Sequence, residues 1–210
     1  MVKTLRGVVE AYDKIAHLYD LMNLIYFFGR DKQLRAFLVE ELNLQPGDTV
    51  LDLCCGTGLN FPPLRQKIKD HGSVLGVDIS SRMFQQAKRK SGSKRIHFLK
   101  SDAAYLAFRN ETFDAVLLTF CLKITPTYEK TIEEVARVLK STGRFGVLGN
   151  YRFTGLLKPL GDIFSKILST IAKINFETDF KELLLTKFRI IEDKKKFGGL
   201  VQFLVGEKLS

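Results

Sequence analysis

The chain has 210 residues, 45% hydrophobic and 27% charged, with 17 Phe and no Trp. That length and balance fit one globular domain with a sizeable core, and exclude wholesale disorder. The net charge of +10 points toward acidic partners, nucleic acid or an anionic membrane, without choosing between them.

Residues 1–6 carry charges with no apolar run behind them, so no secretory signal is expected. The longest uncharged apolar stretch near the start, residues 21–29, is far short of the roughly 20 residues a membrane-spanning helix needs. Residues 1–45 read as a helical lid. From 48 to 150, strand and helix signals alternate, the pattern of parallel strands with helical crossovers. Strands are predicted at 49–54, 73–78, 95–99, 113–119 and 144–148. The first lies behind a Pro46-Gly47-Asp48 turn, and Pro62-Pro63 marks the helix that follows it. Ser80 or Ser81 is the expected cap of the next helix. A further helix is predicted over 126–140, with Thr125 at its cap and Gly143 as the stop. Residues 151–187 form an amphipathic insert, apolar at 156, 157, 160, 163, 164, 167, 168, 171 and 174, and basic at Lys158, Lys166 and Lys173. It either packs on the domain or rests on a bilayer. Within 188–207, apolar runs at 188–195 and 200–205 are joined by a turn too short for a parallel crossover, so they pair antiparallel. The expectation is a single α/β domain.

The stretch Asp52-Leu53-Cys54-Cys55-Gly56-Thr57-Gly58, with Asp78 twenty residues beyond, carries the chemistry. Glycines in a strand-to-helix turn let a ligand approach the backbone. A carboxylate ending the second strand can accept both ribose hydroxyls. A dinucleotide fingerprint requires a third glycine where Phe61 stands. Asp52 would also repel a pyrophosphate but attract the ammonium and sulfonium of S-adenosylmethionine. The charge logic selects the methyl donor. Cys54, Cys55 and Cys121 make no disulfide framework, and no cysteine or histidine stands at zinc spacing, so no metal is expected. The cysteine usage suits a reduced, cytoplasmic protein, with peripheral membrane attachment left open.

Four segments in order resemble the successive motifs of class I S-adenosylmethionine-dependent methyltransferases: residues 52–58, Val77-Asp78-Ile79-Ser80, Ser101-Asp102-Ala103-Ala104 and Val138-Leu139-Lys140-Ser141-Thr142-Gly143. The resemblance covers about residues 8–149. It implies a Rossmann-like, seven-stranded, mostly parallel sheet with a C-terminal antiparallel hairpin and helices on both faces. It also implies that Cys54, Gly56, Thr57 and Gly58 cradle the methionine part beside Asp52. Asp78, Ile79 and Met83 would hold the ribose side, Asp102 and Ala103 would flank the adenine, and Thr119 and Phe120 would stand beside the methyl group. Two departures are Cys54, where the first motif glycine is usual, and the 140–143 turn.

Residues 11–23, with Tyr12-Asp13 and Tyr19-Asp20, look like the opening of the ubiquinone/menaquinone-biosynthesis methyltransferases. Residues 19–31, Asn60-Phe61-Pro62 and Phe197-Gly198-Gly199 are also similar to lipid headgroup N-methyltransferases. Both imply a small lipophilic acceptor, methylated at a quinol carbon or a lipid amine. Tyr12 and Tyr19, seven apart, are expected to share a helix face, with Tyr19 beside the donor. His17, Tyr19 and Tyr151 are the catalytic candidates, with Asp20 behind them, should the acceptor need a base. The basic run between Asp78 and Asp102 reads as a solvated surface. Nucleic acid is disfavoured, because no aromatic-basic recognition strand accompanies the charge. Two rivals stay open, a methyltransferase of a soluble metabolite or RNA, and a donor-binding protein without catalysis.

Overall fold

The computed structural model describes residues 4–150, 166, 170, 174, 175, 180–197 and 199–209. Three helices come first: α1 (Leu5–Ile15), α2 (Tyr19–Tyr26) and α3 (Asp31–Glu41). The alternating part runs β1 (Thr49–Leu53), α4 (Phe61–Ile68), β2 (Ser73–Asp78), α5 (Ser81–Ser91) and β3 (Ile96–Lys100). It continues through β4 (Phe113–Thr119), α6 (Tyr128–Val138) and β5 (Leu139–Asn150). A short α7 (Lys181–Leu185) precedes the hairpin β6 (Phe188–Lys196) and β7 (Val201–Lys208).

The strands form one seven-stranded sheet in the order β3-β2-β1-β4-β5-β7-β6. β1 to β5 pair in parallel, and β7 runs antiparallel to both β5 and β6. Both faces are covered, which is why the central strands are near-continuous apolar runs. Val50, Ala115 and Leu117 face a layer built by Leu38 of α3, Leu42 just past its end, and Leu64 and Ile68 of α4. Their neighbours Leu51, Val116 and Leu118 face Ile132 and Val135 of α6 and Leu184 of α7. The Rossmann-like sheet, its hairpin and the helices on both faces are as the sequence leads one to expect. The strand order reverses direction between β1 and β4. The crevice beyond the carboxyl ends of those strands is where open α/β sheets bind ligands.

Local expectations fare unevenly. Ser80 does cap α5, accepting from the Met83 N–H at 3.1 Å. Thr125 does not cap α6. Its hydroxyl donates to the Cys121 carbonyl at 3.0 Å, inside a turn that delays the helix to Tyr128. The helix also ends earlier than expected, because Leu139 is already paired with Phe113 of β4. Lys140 to Gly143 therefore belong to the irregular start of β5, where the register shifts, rather than to a free turn. Gly143 is required by packing: a Cβ there would stand 2.7 Å from Leu139 and 2.9 Å from the Asp114 carbonyl. The insert expected over 151–187 lies mostly outside the described residues, as does Tyr151.

Candidate active site

The site begins where β1 ends. Beyond Leu53 the backbone turns through Cys54 (φ 58°), Gly56 (φ 55°) and Gly58 (φ 80°), three left-handed residues in five. That conformation is natural to glycine and strained for cysteine. Gly58 has a second constraint, since a Cβ would lie 2.5 Å from the Phe61 ring. The same ring comes within 3.0 Å of the position of a Gly76 Cβ on β2. Phe61 thus fills the space that a dinucleotide fold leaves for its third glycine, and α4 is held off the loop by an aromatic ring.

Asp78 ends β2 facing this loop. Its carboxylate accepts from the Gly56 N–H and the Ser80 N–H, both at 2.8 Å. Burial pushes its carboxyl up to about 6, against the lowering pull of the N–H groups of Ser80, Gly56 and Ile79. Asp102 follows β3 and is held by the Ala104 N–H at 3.0 Å. Cys54, Gly56, Asp78, Ile79, Met83, Asp102, Ala103, Thr119 and Phe120 line one cavity with an empty volume of about 690 Å³, part of it open to solvent. Thr57, Gly58 and Asp52 stand behind that lining rather than in it.

Two Tyr-Asp pairs close the cavity. The expected single helix is interrupted at Ala16 to Leu18, so Tyr12 ends up on α1 and Tyr19 on α2. The two rings still meet, 6.1 Å apart and tilted, and both line the cavity. Each following aspartate latches its helix to the core. Asp13 accepts from the Ser80 hydroxyl at 2.5 Å and the Arg82 N–H at 3.1 Å. Asp20 accepts from the Thr57 hydroxyl at 2.5 Å and forms an ion pair with Lys90. The repeat therefore has a division of labour that its spacing alone did not show.

Beneath the loop lies a buried polar cluster. Arg35 of α3, 3% exposed, donates to Asp31 at 3.0 and 3.1 Å, to Asn60 at 3.0 Å and to the Thr119 hydroxyl at 2.9 Å. Asn60 in turn donates to Asp52 Oδ1 at 2.7 Å. Asp52 is fully buried, and its Oδ2 has no hydrogen-bond partner. Burial pushes its carboxyl up to about 7, although the Asn60 hydrogen bond and the Arg35 charge oppose the shift. Sequence reasoning missed Arg35 and Asp31, whose partners stand 25 and 84 residues from Arg35 along the chain.

A second cavity adjoins the first, with an empty volume of about 860 Å³, part of it open to solvent. Tyr12, Tyr19 and Phe120 belong to the walls of both cavities. The remaining wall is mainly apolar: Ile15, Met22, Ile25, Tyr26, Phe27 and Ile174. Asn150, at the end of β5, lies in this wall, 7% exposed, and its Oδ1 has no hydrogen-bond partner. Phe120 sits at the junction with φ 58°, stacked on Phe27 at 4.9 Å, with the Arg35 guanidinium 5.3 Å from its centroid. Burial raises the phenols of Tyr12 and Tyr19, so both are neutral donors at neutral pH. His17 is exposed in the turn between α1 and α2 and lines neither cavity. Asp20 is committed to its latch.

A model of the ubiE/COQ5 methyltransferase family matches residues 1–202. The chain belongs to that family. It is 30% identical over 174 residues to a demethylmenaquinone methyltransferase of Lactobacillus johnsonii, covering 80% of this chain and 71% of that one. A demethylmenaquinone methyltransferase of Oceanobacillus iheyensis aligns over 227 residues at 29% identity, 97% of this chain and 95% of its own length. Among solved structures, a geranyl diphosphate methyltransferase in complex with SAM superposes with a TM-score of 0.70. It shares 14% identity and covers 85% of this chain and 86% of its own, a likeness that shows the fold.

The methyl donor of such a methyltransferase is S-adenosylmethionine, and the residues present fit it. The unpartnered, buried Asp52 Oδ2 is a carboxylate oxygen whose ionisation a nearby cation would favour. The left-handed glycine loop can bring backbone against a ligand, and Asp78 with Asp102 presents two carboxylates on the cavity wall. Cys54, where the resemblance expects the first motif glycine, has a left-handed backbone. Among the described residues no group of three or more His, Cys, Asp or Glu is placed to hold a metal ion.

Proposed function

We propose that this methyltransferase methylates a lipophilic quinol, held in the apolar cavity beside the donor cavity. The observation that carries this reading is the shared wall of Tyr12, Tyr19 and Phe120. A ligand in each cavity would meet its neighbour there, beside aromatic rings that exclude water. The acceptor cavity also lacks carboxylates among its described lining residues. A quinol enters uncharged and releases its ring proton to solvent after the methyl has bonded to the ring carbon, whereas a protonated lipid amine would have to shed its charge before reaction with no carboxylate beside it. The family match and relatives named for demethylmenaquinone methylation support the same acceptor class.

S-adenosylmethionine supplies a methyl group activated by its sulfonium, transferred by in-line displacement. The chain then has three tasks: binding, alignment and exclusion of water. Asp78 would receive the ribose hydroxyls, Asp102 and Ala103 would flank the adenine, and Asp52, buried behind the cavity wall, would add a negative charge that favours the donor's ammonium through the glycine loop. Asn150 Oδ1 accepts a hydroxyl hydrogen from the acceptor and so sets the orientation of its ring. Tyr19 donates from its neutral phenol and acts as an aligning group, since its raised pKa leaves little phenolate at neutral pH. With His17 exposed, no imidazole among the described residues stands in either cavity to serve as base.

Incubation with tritiated-methyl donor and a total lipid extract tests the acceptor class. Label is expected in the quinone fraction. Label in amine-bearing phospholipids, with none in quinones, would overturn the reading.

A further inference from the structure

Helix α2 has two working faces. Tyr19, Met22, Asn23 and Tyr26 look into the acceptor cavity. On the other side Leu18, Leu21, Leu24, Ile25 and Phe28 are 46%, 52%, 51%, 68% and 82% exposed. Spacings of three and four place these five on one stripe running from the helix start to just past its end. Single exposed apolar residues need no explanation, but a contiguous stripe on a helix does.

Phe28 adds an independent observation. It stands past the end of α2 with φ 50°, where a helix terminus ordinarily carries glycine. The Gly29 N–H closes the turn on the Leu24 carbonyl at 2.7 Å. A strained backbone that presents an 82% exposed aromatic ring has no folding advantage over glycine, which points to a use outside the fold.

The charge beside the stripe selects the partner. Residues 21–30 contain no acid, and the next one, Asp31, is buried against Arg35. Arg30 lies 5.4 Å from the Phe197 centroid, and Lys196 lies 3.6 Å from that of Phe37, all four lining one groove. Exposed apolar side chains edged by cations match an anionic bilayer. A second copy of the chain fits less well, because a two-fold contact through this face would bring two basic edges together.

We propose that the outer face of α2, continued by Phe28 and flanked by Arg30 and Lys196, docks on an anionic phospholipid bilayer. Ile25 belongs to both the stripe and the cavity wall. It therefore marks the point where an acceptor dissolved in the bilayer enters, a step that rests on the acceptor class proposed above.

Flotation with vesicles of about 30 mol% phosphatidylglycerol in phosphatidylcholine tests the docking. The protein is expected to float with these vesicles and to stay behind with pure phosphatidylcholine. Leu21→Ser/Leu24→Ser/Phe28→Ser should lower the floated fraction about tenfold, and Arg30→Glu/Lys196→Glu should do so separately. Calorimetric donor binding should be unchanged in both variants, because none of these residues lines a proposed ligand cavity. If the wild type does not float, or if either variant floats as well as the wild type, the proposal is wrong. It is equally wrong if the wild type sediments without lipid as a dimer that the triple variant breaks. Methyl transfer to a detergent-dispersed quinol tests the acceptor reading separately, so failure of one does not imply failure of the other.

Discussion

At the scale of single residues the decisive feature is a buried carboxylate oxygen without a partner. Asp52 is fully buried with Oδ2 unpaired, and its pKa is raised from 3.8 to about 7. A raised carboxyl binds its proton more tightly in the folded than in the unfolded chain. The donor-free protein is therefore relatively most stable below pH 4 as far as this group is concerned, and loses that contribution as pH rises through about 7. Asp78, raised to about 6, acts in the same direction. A bound ammonium reverses the preference and favours the ionised form. Donor affinity should accordingly rise between pH 5 and 8, and binding near pH 6.5 should release protons, about one per site. Titrations in two buffers of different ionisation enthalpy measure that number. Zero release, with affinity flat in pH, would show that Asp52 does not sense the bound donor. Cys54 offers a second test, because a cysteine occupies a left-handed position. Cys54→Gly should raise thermal stability by about 0.5–1 kcal/mol if relieved strain outweighs the added chain entropy. A lower melting temperature would show that Cys54 is held by its contacts instead.

At the scale of elements, the loop and its glycines were legible because their constraints are local. A left-handed turn needs glycine whatever surrounds it, and Asp78 is placed by the end of its own strand. The lid was legible only in part. Tyr19 was expected beside the donor, with Tyr12 on the same face of one helix. A break at Ala16 to Leu18 separates them, and packing brings the rings together again. What Asp13 and Asp20 do could not be read at all, since their partners Ser80, Thr57 and Lys90 lie 37 to 70 residues away. The same distance hid Arg35. If the two aspartates latch α1 and α2, Asp13→Asn/Asp20→Asn should loosen both helices. Amide exchange in residues 5–26 should accelerate about tenfold, with donor KM raised and kcat little changed, while the sheet keeps its protection. Uniform acceleration across the sheet would indicate global destabilisation instead.

At the scale of the whole molecule, composition raised a question that the fold answers in part. Several cations of the basic run between Asp78 and Asp102 have partners inside the protein. Lys88 lies 4.7 Å from the Phe84 centroid, Lys90 pairs with Asp20, and Lys100 donates to the Ser81 hydroxyl at 2.5 Å. Through Lys90 that run ties α2 to the core, which charge counting along the sequence had no means of showing. The described residues contain no helix long and apolar enough to cross a membrane. What the alternation of strands and helices did predict, the sheet and its hairpin, is dictated by burial on two faces and by a short final connection, both visible in one dimension. The acceptor cavity was not predictable in that way. It is built by α1, α2, the end of β4 and the end of β5, which meet only in the folded chain.

The central claim is that the two adjoining cavities form one methyl-transfer site for a quinol. Its most direct test is a single-turnover reaction of the purified protein with labelled S-adenosylmethionine and reduced demethylmenaquinone. One labelled methyl on a ring carbon is expected per active site, with loss of at least about 30-fold in donor affinity for Asp78→Ala. Tight donor binding without any label on the quinol, or an Asp78→Ala protein that binds donor as the wild type does, would contradict the account.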